Sequence, residues 1–413
     1  MADTLRPRDA KDVEVAVQSA LAAAKTVEIV GHGSKRAIGR PAQTDLTLDL
    51  SGLTEVTLYE AEELVLSAKA GTPLAEIEAL LAANGQQLAF EPMDYAAILG
   101  GAKGRGTIGG ALAANVSGPR RIRAGAARDH FLGLWAVSGR GESFKSGGRV
   151  VKNVTGYDLC KLVAGSWGTL AAMTDVTIKV LPRPETEQTL LIRGLESAQA
   201  IVAMSNAMGS SCDVSGAAHL PADIAARIPA QEIGGGAVTA LRLEGFSASV
   251  VARKHALEAL MKPFGELTTA EEALSRRLWT AIRDVTPFAA HASTLSPREG
   301  EPPLWRISTA PSRGLELTAT IARSAQAQMF YDWAGGLIWL TLEAADDAGA
   351  ALIHSAIRAF GGHATLMRAP ASVRAAIDVF APQDRALAAL TKRVKESFDP
   401  QGVLNPGRMW AGV

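Results

Sequence analysis

Two glycine clusters carry the residue types in this chain best suited to gripping an anion. The first, Gly31-His32-Gly33-Ser34-Lys35, follows a β-branched run and ends in a cation. The second, Thr107-Ile108-Gly109-Gly110, lies in a glycine-rich tract running from residue 91 to 118. Glycine after a strand lets the backbone turn with φ > 0 and leaves its N–H groups free to face a ligand. Both clusters therefore read as cradles for a diphosphate. Gly110 also opens a short helix, whose N-terminus adds partial positive charge.

Neither cluster fits the common nucleotide fingerprints. In Gly-His-Gly-Ser-Lys-Arg, Arg36 stands where a Rossmann turn needs its third glycine, and Gly39 and Pro41 would break the helix that should follow. A P-loop fails because no four-residue spacing leads from Gly33 to a Gly-Lys pair. Gly104 to Gly109 does match G-x-G-x-x-G, with Asp129 about 20 residues further on, yet no strand leads into it. Taken singly, each loop is more readily a set of tight turns than a ligand cradle.

The elements around these loops follow from pattern. Residues 9–25 open on an Asp and carry apolar residues at helical spacing, and residues 26–31 read as a buried strand. Residues 44–53 and 55–71 alternate polar and apolar side chains, which predicts antiparallel strands. Residues 72–85 form a helix with Thr72 as N-cap, Pro73 at its first position and Gly85 at its end. Strands resume at residues 130–139 and 168–185, and Pro182 and Pro184 mark a domain boundary. Beyond them strand and helix signals alternate, and residues 384–398 form a last helix.

Composition excludes several classes of function. Lys+Arg and Asp+Glu both number 42 in 413 residues, so the basic excess of a nucleic-acid binder is missing. The N-terminus has no apolar signal core and no stretch reaches 18 uncharged apolar residues, which argues for the cytoplasm. Cys160 and Cys212 are the two cysteines. They suit a reducing compartment and are too few for a four-Cys iron–sulfur cluster.

Four motifs in order, residues 29–35, 107–134, 152–180 and 398–408, resemble the vanillyl-alcohol oxidase and p-cresol methylhydroxylase family of flavoproteins. Within it the resemblance is to the glycolate oxidase branch, at its smaller FAD-binding subunit. It implies an α+β fold. Residues 1–182 would be a PCMH-type FAD-binding domain of two α+β subdomains, and residues 183–383 an antiparallel-sheet cap with helices on one face. Residues 384–413 would return to the FAD domain.

The resemblance also implies where FAD lies. Gly31, His32, Gly33, Ser34 and Lys35 would meet one side of the diphosphate, and Thr107, Ile108, Gly109 and Gly110 the other. Ser117 and Gly118 would admit the planar ring, Gly165 and Gly168 would allow a further close approach, and Pro92 and Thr169 would be further cofactor contacts. Asp175 to Ile178 would run past the adenine. Asp129 and Asp158 read equally as turn caps or ligand contacts, Lys35 and Lys161 equally as surface charges. Asn405 sits in a Leu-Asn-Pro-Gly stretch that is either a plain turn or a cofactor contact.

Covalent members of the family place a His after two adjacent glycines. Gly33 occupies that position here, so FAD is expected to be non-covalent. Hydroxyacid-oxidising relatives carry paired histidines that hold a metal and the substrate. This chain offers His363 alone, with His291 and His354 far off in sequence and Arg368 as a carboxylate-binding candidate. No metal and no catalytic residue is assigned. The expected function is that of an FAD-binding subunit in glycolate oxidation to glyoxylate, beside a catalytic flavoprotein subunit that takes the small hydroxyacid and an iron–sulfur subunit, with any membrane contact made through those partners. A self-sufficient hydroxyacid or alcohol oxidoreductase and a non-catalytic scaffold are the alternatives.

Overall fold

The computed structural model describes residues 3–149, 156–290 and 300–413. Three short strands come first in space. Leu46–Asp49 lies between Asp3–Leu5 and Val27–Val30 and runs parallel to both. The alternating pattern of residues 44–53 predicts an antiparallel strand, and the structure corrects this. Leu46, Thr47 and Leu48 are all buried, as befits a central strand of a parallel sheet covered on both faces. The helix Ala10–Ala22 covers this sheet. Asp9 caps it by accepting from the Asp12 N–H at 2.8 Å, and Val13, Val17 and Ala20 form its buried stripe.

A second sheet is antiparallel throughout, in the spatial order Val56–Glu60, Val65–Lys69, Ala171–Lys179, Phe131–Ser138, Ser143–Gly147. The helix Leu74–Ala83 packs on it through Leu74, Ile77 and Leu81. Thr72 does not cap that helix. Its hydroxyl is engaged by both the N–H and the C=O of Glu55 at 3.0 and 3.1 Å, and the Leu74 N–H donates instead to the Gly106 carbonyl.

After Pro184 the chain enters an eight-stranded antiparallel sheet. Its order is Leu267–Ala270, Thr186–Arg193, Val238–Gly245, Gly216–Leu220, Ala327–Asp332, Leu337–Leu342, Leu304–Ser308, His363–Arg368. Side chains alternate faces. Leu190 and Ile192 point to a core shared with the helices Ser197–Met208, Ser247–Met261, Pro311–Ala322 and Ala350–Phe360, and Leu191 points the other way. The expectation of helices on one face needs correcting, because the helix Glu272–Arg283 packs on the opposite face with Ile38, Met93 and Tyr95.

A buried ion network joins this sheet to the preceding residues. Glu91 meets Arg242 at 2.9 Å and Arg120 at 3.0 Å, and Arg120 also meets Glu244 at 2.6 Å. Burial alone would raise the Glu244 carboxyl, yet Arg242 and Arg120 pull it down to about 2. No helix among the described residues is long and apolar enough to cross a membrane.

The C-terminal helix, Arg385–Phe398, buries one residue, Lys395. The Lys395 ammonium donates to the Thr169 and Leu404 carbonyls at 2.7 and 2.8 Å and to Asp399 at 2.6 Å. Asp399 in turn accepts the Val403 and Leu404 N–H groups. Replacing one member leaves the other charged and unpaired in the core. Lys395→Met is therefore expected to cost about 3–5 kcal/mol, read as a lowered urea midpoint in equilibrium unfolding.

Candidate flavin site

Strand Val27–Val30 ends at Gly31, and the loop after it forms one wall of a cleft enclosing ≈ 770 Å³ of space, its open mouth included. The backbone N–H groups of His32, Gly33, Ser34 and Lys35 donate to no acceptor among the described residues. Four free N–H groups in one loop make an anion nest. The His32 Nδ1 is buried without a hydrogen-bond partner, and burial together with Arg105 lowers the imidazole pKa.

Lys35 lines the same cleft. Its ammonium lies 3.2 Å from the Ser34 hydroxyl and 4.8 Å from the centre of the Tyr95 ring. Burial pushes it down to about 8, against the pull of Asp94. Arg408 is buried behind the loop, donates to the Lys35 carbonyl at 2.9 Å, and keeps an unpartnered Nε. The wall is thus positive. Its one acid, Glu28, is tied up by Arg36 and Arg408.

The second glycine loop behaves otherwise than expected. Three of its N–H groups are spent within the protein: Ile108 on the Thr72 carbonyl at 3.0 Å, Gly109 on the Ala70 carbonyl at 2.9 Å, and Gly110 on the Thr107 hydroxyl at 3.2 Å. It offers close approach of bare backbone rather than donors. A Cβ on Gly109 would meet the Ala70 backbone at 2.8 Å, and one on Gly110 would sit 3.3 Å from the Lys35 ammonium. Gly109 is therefore small for packing, and Gly110 small for the cleft.

Asn405 closes the far side. Its Oδ1 accepts the Ile29 N–H at 2.9 Å and its Nδ2 donates to the Trp167 carbonyl at 2.7 Å. Gly168 has φ +75°, and a Cβ there would fall 2.6 Å from the Asn405 amide, so the position requires glycine twice over. Leu50, Ala113, Ala114, Ala171, Met173 and Trp167 complete an apolar stretch of wall.

The cleft thus gathers Gly31, His32, Gly33, Ser34, Lys35, Thr107, Gly109, Gly110, Gly168 and Asn405 from the predicted set. Other predicted residues do not line it. Ile108 and Ile178 are core side chains, and Pro92 is buried elsewhere. The Ser117 hydroxyl accepts the Ala127 N–H, Gly118 packs on Glu91 and Arg283, and Gly165 packs on Asn115. Thr169 bonds the Ser166 carbonyl, and Asp175 pairs with Lys69 on the second sheet. Asp129 and Asp158 both act as turn caps, accepting from the Ala126 and Lys161 N–H groups. Lys161 donates to the Arg128 carbonyl instead of standing free.

Arg368 is no carboxylate clamp, because its guanidinium is spent on the Ile98, Phe288 and Pro302 carbonyls. His354 is buried edge-on to Trp305 and His363 is exposed. Residues 150–155 of the third motif and His291 lie outside the described residues. Arg408, Arg36 and Trp167 line the cleft without having been predicted. Arg36 directly follows the first glycine loop, Trp167 lies between Gly165 and Gly168, and Arg408 ends the fourth motif, so each sits beside a residue that was singled out.

Free N–H donors, a lowered lysine and an unpartnered imidazole at one end, with small apolar residues beside them, fit a ligand with a diphosphate and an aromatic ring system. Residues 2–147 match the model of an FAD binding domain. The chain is 33% identical over 399 residues to glycolate oxidase subunit GlcE of Escherichia coli (strain K12), covering 96% of this chain and 95% of that protein. The chain belongs to the GlcE family. It is also 30% identical to glycolate oxidase subunit GlcD of Bacillus subtilis (strain 168), over 37% of this chain and 30% of that one. The fold is shared with p-cresol methylhydroxylase at TM-score 0.70 and 13% identity, covering 98% of this chain and 88% of that one. A 4-ethylphenol oxidase from Gulosibacter chungangensis gives TM-score 0.71 at 12% identity, covering 99% and 89%. The α+β, PCMH-type expectation holds. GlcE-type chains form a family of FAD-dependent oxidoreductases, and FAD is the cofactor.

Gly110→Val is expected to abolish FAD retention on gel filtration while leaving the fold intact by circular dichroism, because its branches would enter the cleft beside Lys35. A second outcome concerns protons. An anion docking on Lys35 raises a pKa that burial holds near 8, so FAD binding at pH 8.5 takes up a fraction of a proton. At pH 6.5 the lysine is already charged and the uptake vanishes. Calorimetry in buffers of different ionisation enthalpy reads both, and affinity falls as pH rises above 8.

Proposed function

We propose that this chain is the FAD-holding subunit of a glycolate oxidase complex, converting glycolate to glyoxylate together with a GlcD-like flavoprotein subunit and an iron–sulfur subunit. The end-to-end match to a glycolate oxidase subunit carries this reading. Other subunits follow from that kinship, and their identities are part of the proposal. Residues 1–182 and 384–413 would hold the flavin, with residues 183–383 as the cap. The assembly would work in the cytoplasm, meeting a membrane through its partners.

Bound FAD supplies two-electron oxidation and reduction. The protein's part is to hold it. The free N–H groups of residues 32–35 and the Lys35 ammonium neutralise the diphosphate, as anion nests do. Ala113, Ala114, Ala171 and Met173 keep water from the apolar wall, and Asn405 fixes the strand, the Trp167 turn and the C-terminal loop in one register. Gly33 stands where covalent relatives need a linking histidine, which supports non-covalent attachment.

The two cysteines are buried apart, Cys160 in the core of the five-stranded sheet and Cys212 in that of the eight-stranded one. Electrons leaving this chain would then pass to a partner's clusters. The purified chain is expected to be yellow, to release all its flavin on acid precipitation, and to show little glycolate:dye reductase activity. Co-expression with both partners should restore activity and yield one complex by mass spectrometry. Robust glycolate turnover by the chain alone would overturn the division of labour.

A further inference from the structure

Strand Leu304–Ser308 runs between Leu337–Leu342 and His363–Arg368 and places Arg306 across from Trp339 and Thr365. Arg306 is 9% exposed, yet among the described residues its guanidinium donates no hydrogen bond and joins no ion pair. Asp332 bears on it electrostatically from beyond ion-pair distance, and its Oδ1 accepts the Trp333 N–H at 2.7 Å. Burial pushes the Asp332 carboxyl up to about 7, so it is a weak counter-charge near neutrality.

The surroundings of Arg306 are cationic and aromatic. Its guanidinium carbon lies 5.1 Å from the centre of the Trp333 ring, and that of Arg121 lies 4.4 Å from the same ring. Arg121 reaches in from the exposed helix Arg121–Ala124. Burial lowers Arg306 to about 10, helped by Arg121 and opposed by Tyr95 and Asp332. Tyr95, whose ring lies under the Lys35 ammonium, links the cluster to the flavin cleft.

A buried guanidinium without a partner is costly, and cores of folded proteins rarely keep one. Indole rings hold guanidinium planes flat and leave their N–H edges free. We propose that Arg306 and Arg121, stacked on Trp333, form a subsite for the carboxylate of a small organic acid. A planar guanidinium fork matches a planar carboxylate in two parallel hydrogen bonds, a match that a tetrahedral phosphate shares less well. Arg306 takes the acid from inside and Arg121 closes over it from the exposed side. The site goes beyond the proposed function, which leaves the hydroxyacid to a partner, because it gives this chain an acid site of its own.

The test titrates the full-length, FAD-loaded chain with acetate, glycolate and inorganic phosphate, reading thermal shift and tryptophan emission. Acetate and glycolate are expected to raise Tm and quench emission saturably, with phosphate at least tenfold weaker. Arg306→Gln should bind carboxylates at least tenfold more weakly, and Arg306→Lys should recover part of the loss. Without acid, Arg306→Gln should be no less stable than the parent, since it removes an unpaired buried charge. Arg121→Gln, at an exposed position, supplies a second variant whose folding is not at stake, and it should also weaken binding. The proposal is overturned by carboxylates that leave the parent unmoved, by Arg121→Gln and Arg306→Gln proteins that bind as the parent does, or by phosphate binding as tightly as acetate. Flavin retention, followed by absorbance in each sample, reports separately on the cofactor reading. Its loss with carboxylate binding intact would strike that reading and not this one.

Discussion

The candidate flavin cleft depends on a buried ion pair that does not line it. Lys395 in the last helical turn and Asp399 just past its end lie four residues apart and are almost wholly out of water. An isolated charge in that position would be prohibitive. Together they consume the Thr169 and Leu404 carbonyls and the Val403 and Leu404 N–H groups, which folds the C-terminal segment on itself and ties it to the turn leading into the second sheet. Only then can Leu404 bridge to Val27 and Asn405 reach Ile29 and Trp167. The helix itself is amphipathic, yet Leu387 and Leu390 on it are about half exposed. Its purpose within the chain is to present one lysine.

Local chemistry made part of this readable beforehand. A glycine cluster behind a β-branched strand, ending in Lys35, announced an anion loop, and the structure leaves its N–H groups free. The Thr-Ile-Gly-Gly stretch looked the same on paper but spends its donors on Ala70, Thr72 and Thr107. Glycine marks that a backbone must come close, and it does not say whether to a ligand or to the protein itself. Alternation misled in the same way at Leu46–Asp49, since a short central strand covered on both sides can carry threonines whose hydroxyls are buried.

What stayed hidden were the residues that act across long separations. Arg408 backs the loop at Lys35 from 373 residues away, and Trp167 enters the wall between two glycines that mark a turn without saying which side chain it presents. Arg306 was not singled out by sequence, and it is the sheet's second face that makes it an interior cation. Asp129 shows the converse. It has the residue type and spacing of a ligand contact, and it caps a turn because the Ala126 N–H is its nearest demand.

Asn405 also orders events in time. Its amide joins Ile29 to a residue 376 positions later, so the cleft pairs nearly the first strand of the chain with nearly its last loop. Contacts this distant pay their loop-closure entropy last and form late in folding. During synthesis residues 31–35 would emerge hundreds of residues before the Asn405 side of the cleft exists. On the proposed reading of the cleft, flavin loading would be an event of the finished chain, and a polypeptide cut short by a dozen residues would carry the loop without Asn405 and hold nothing in it.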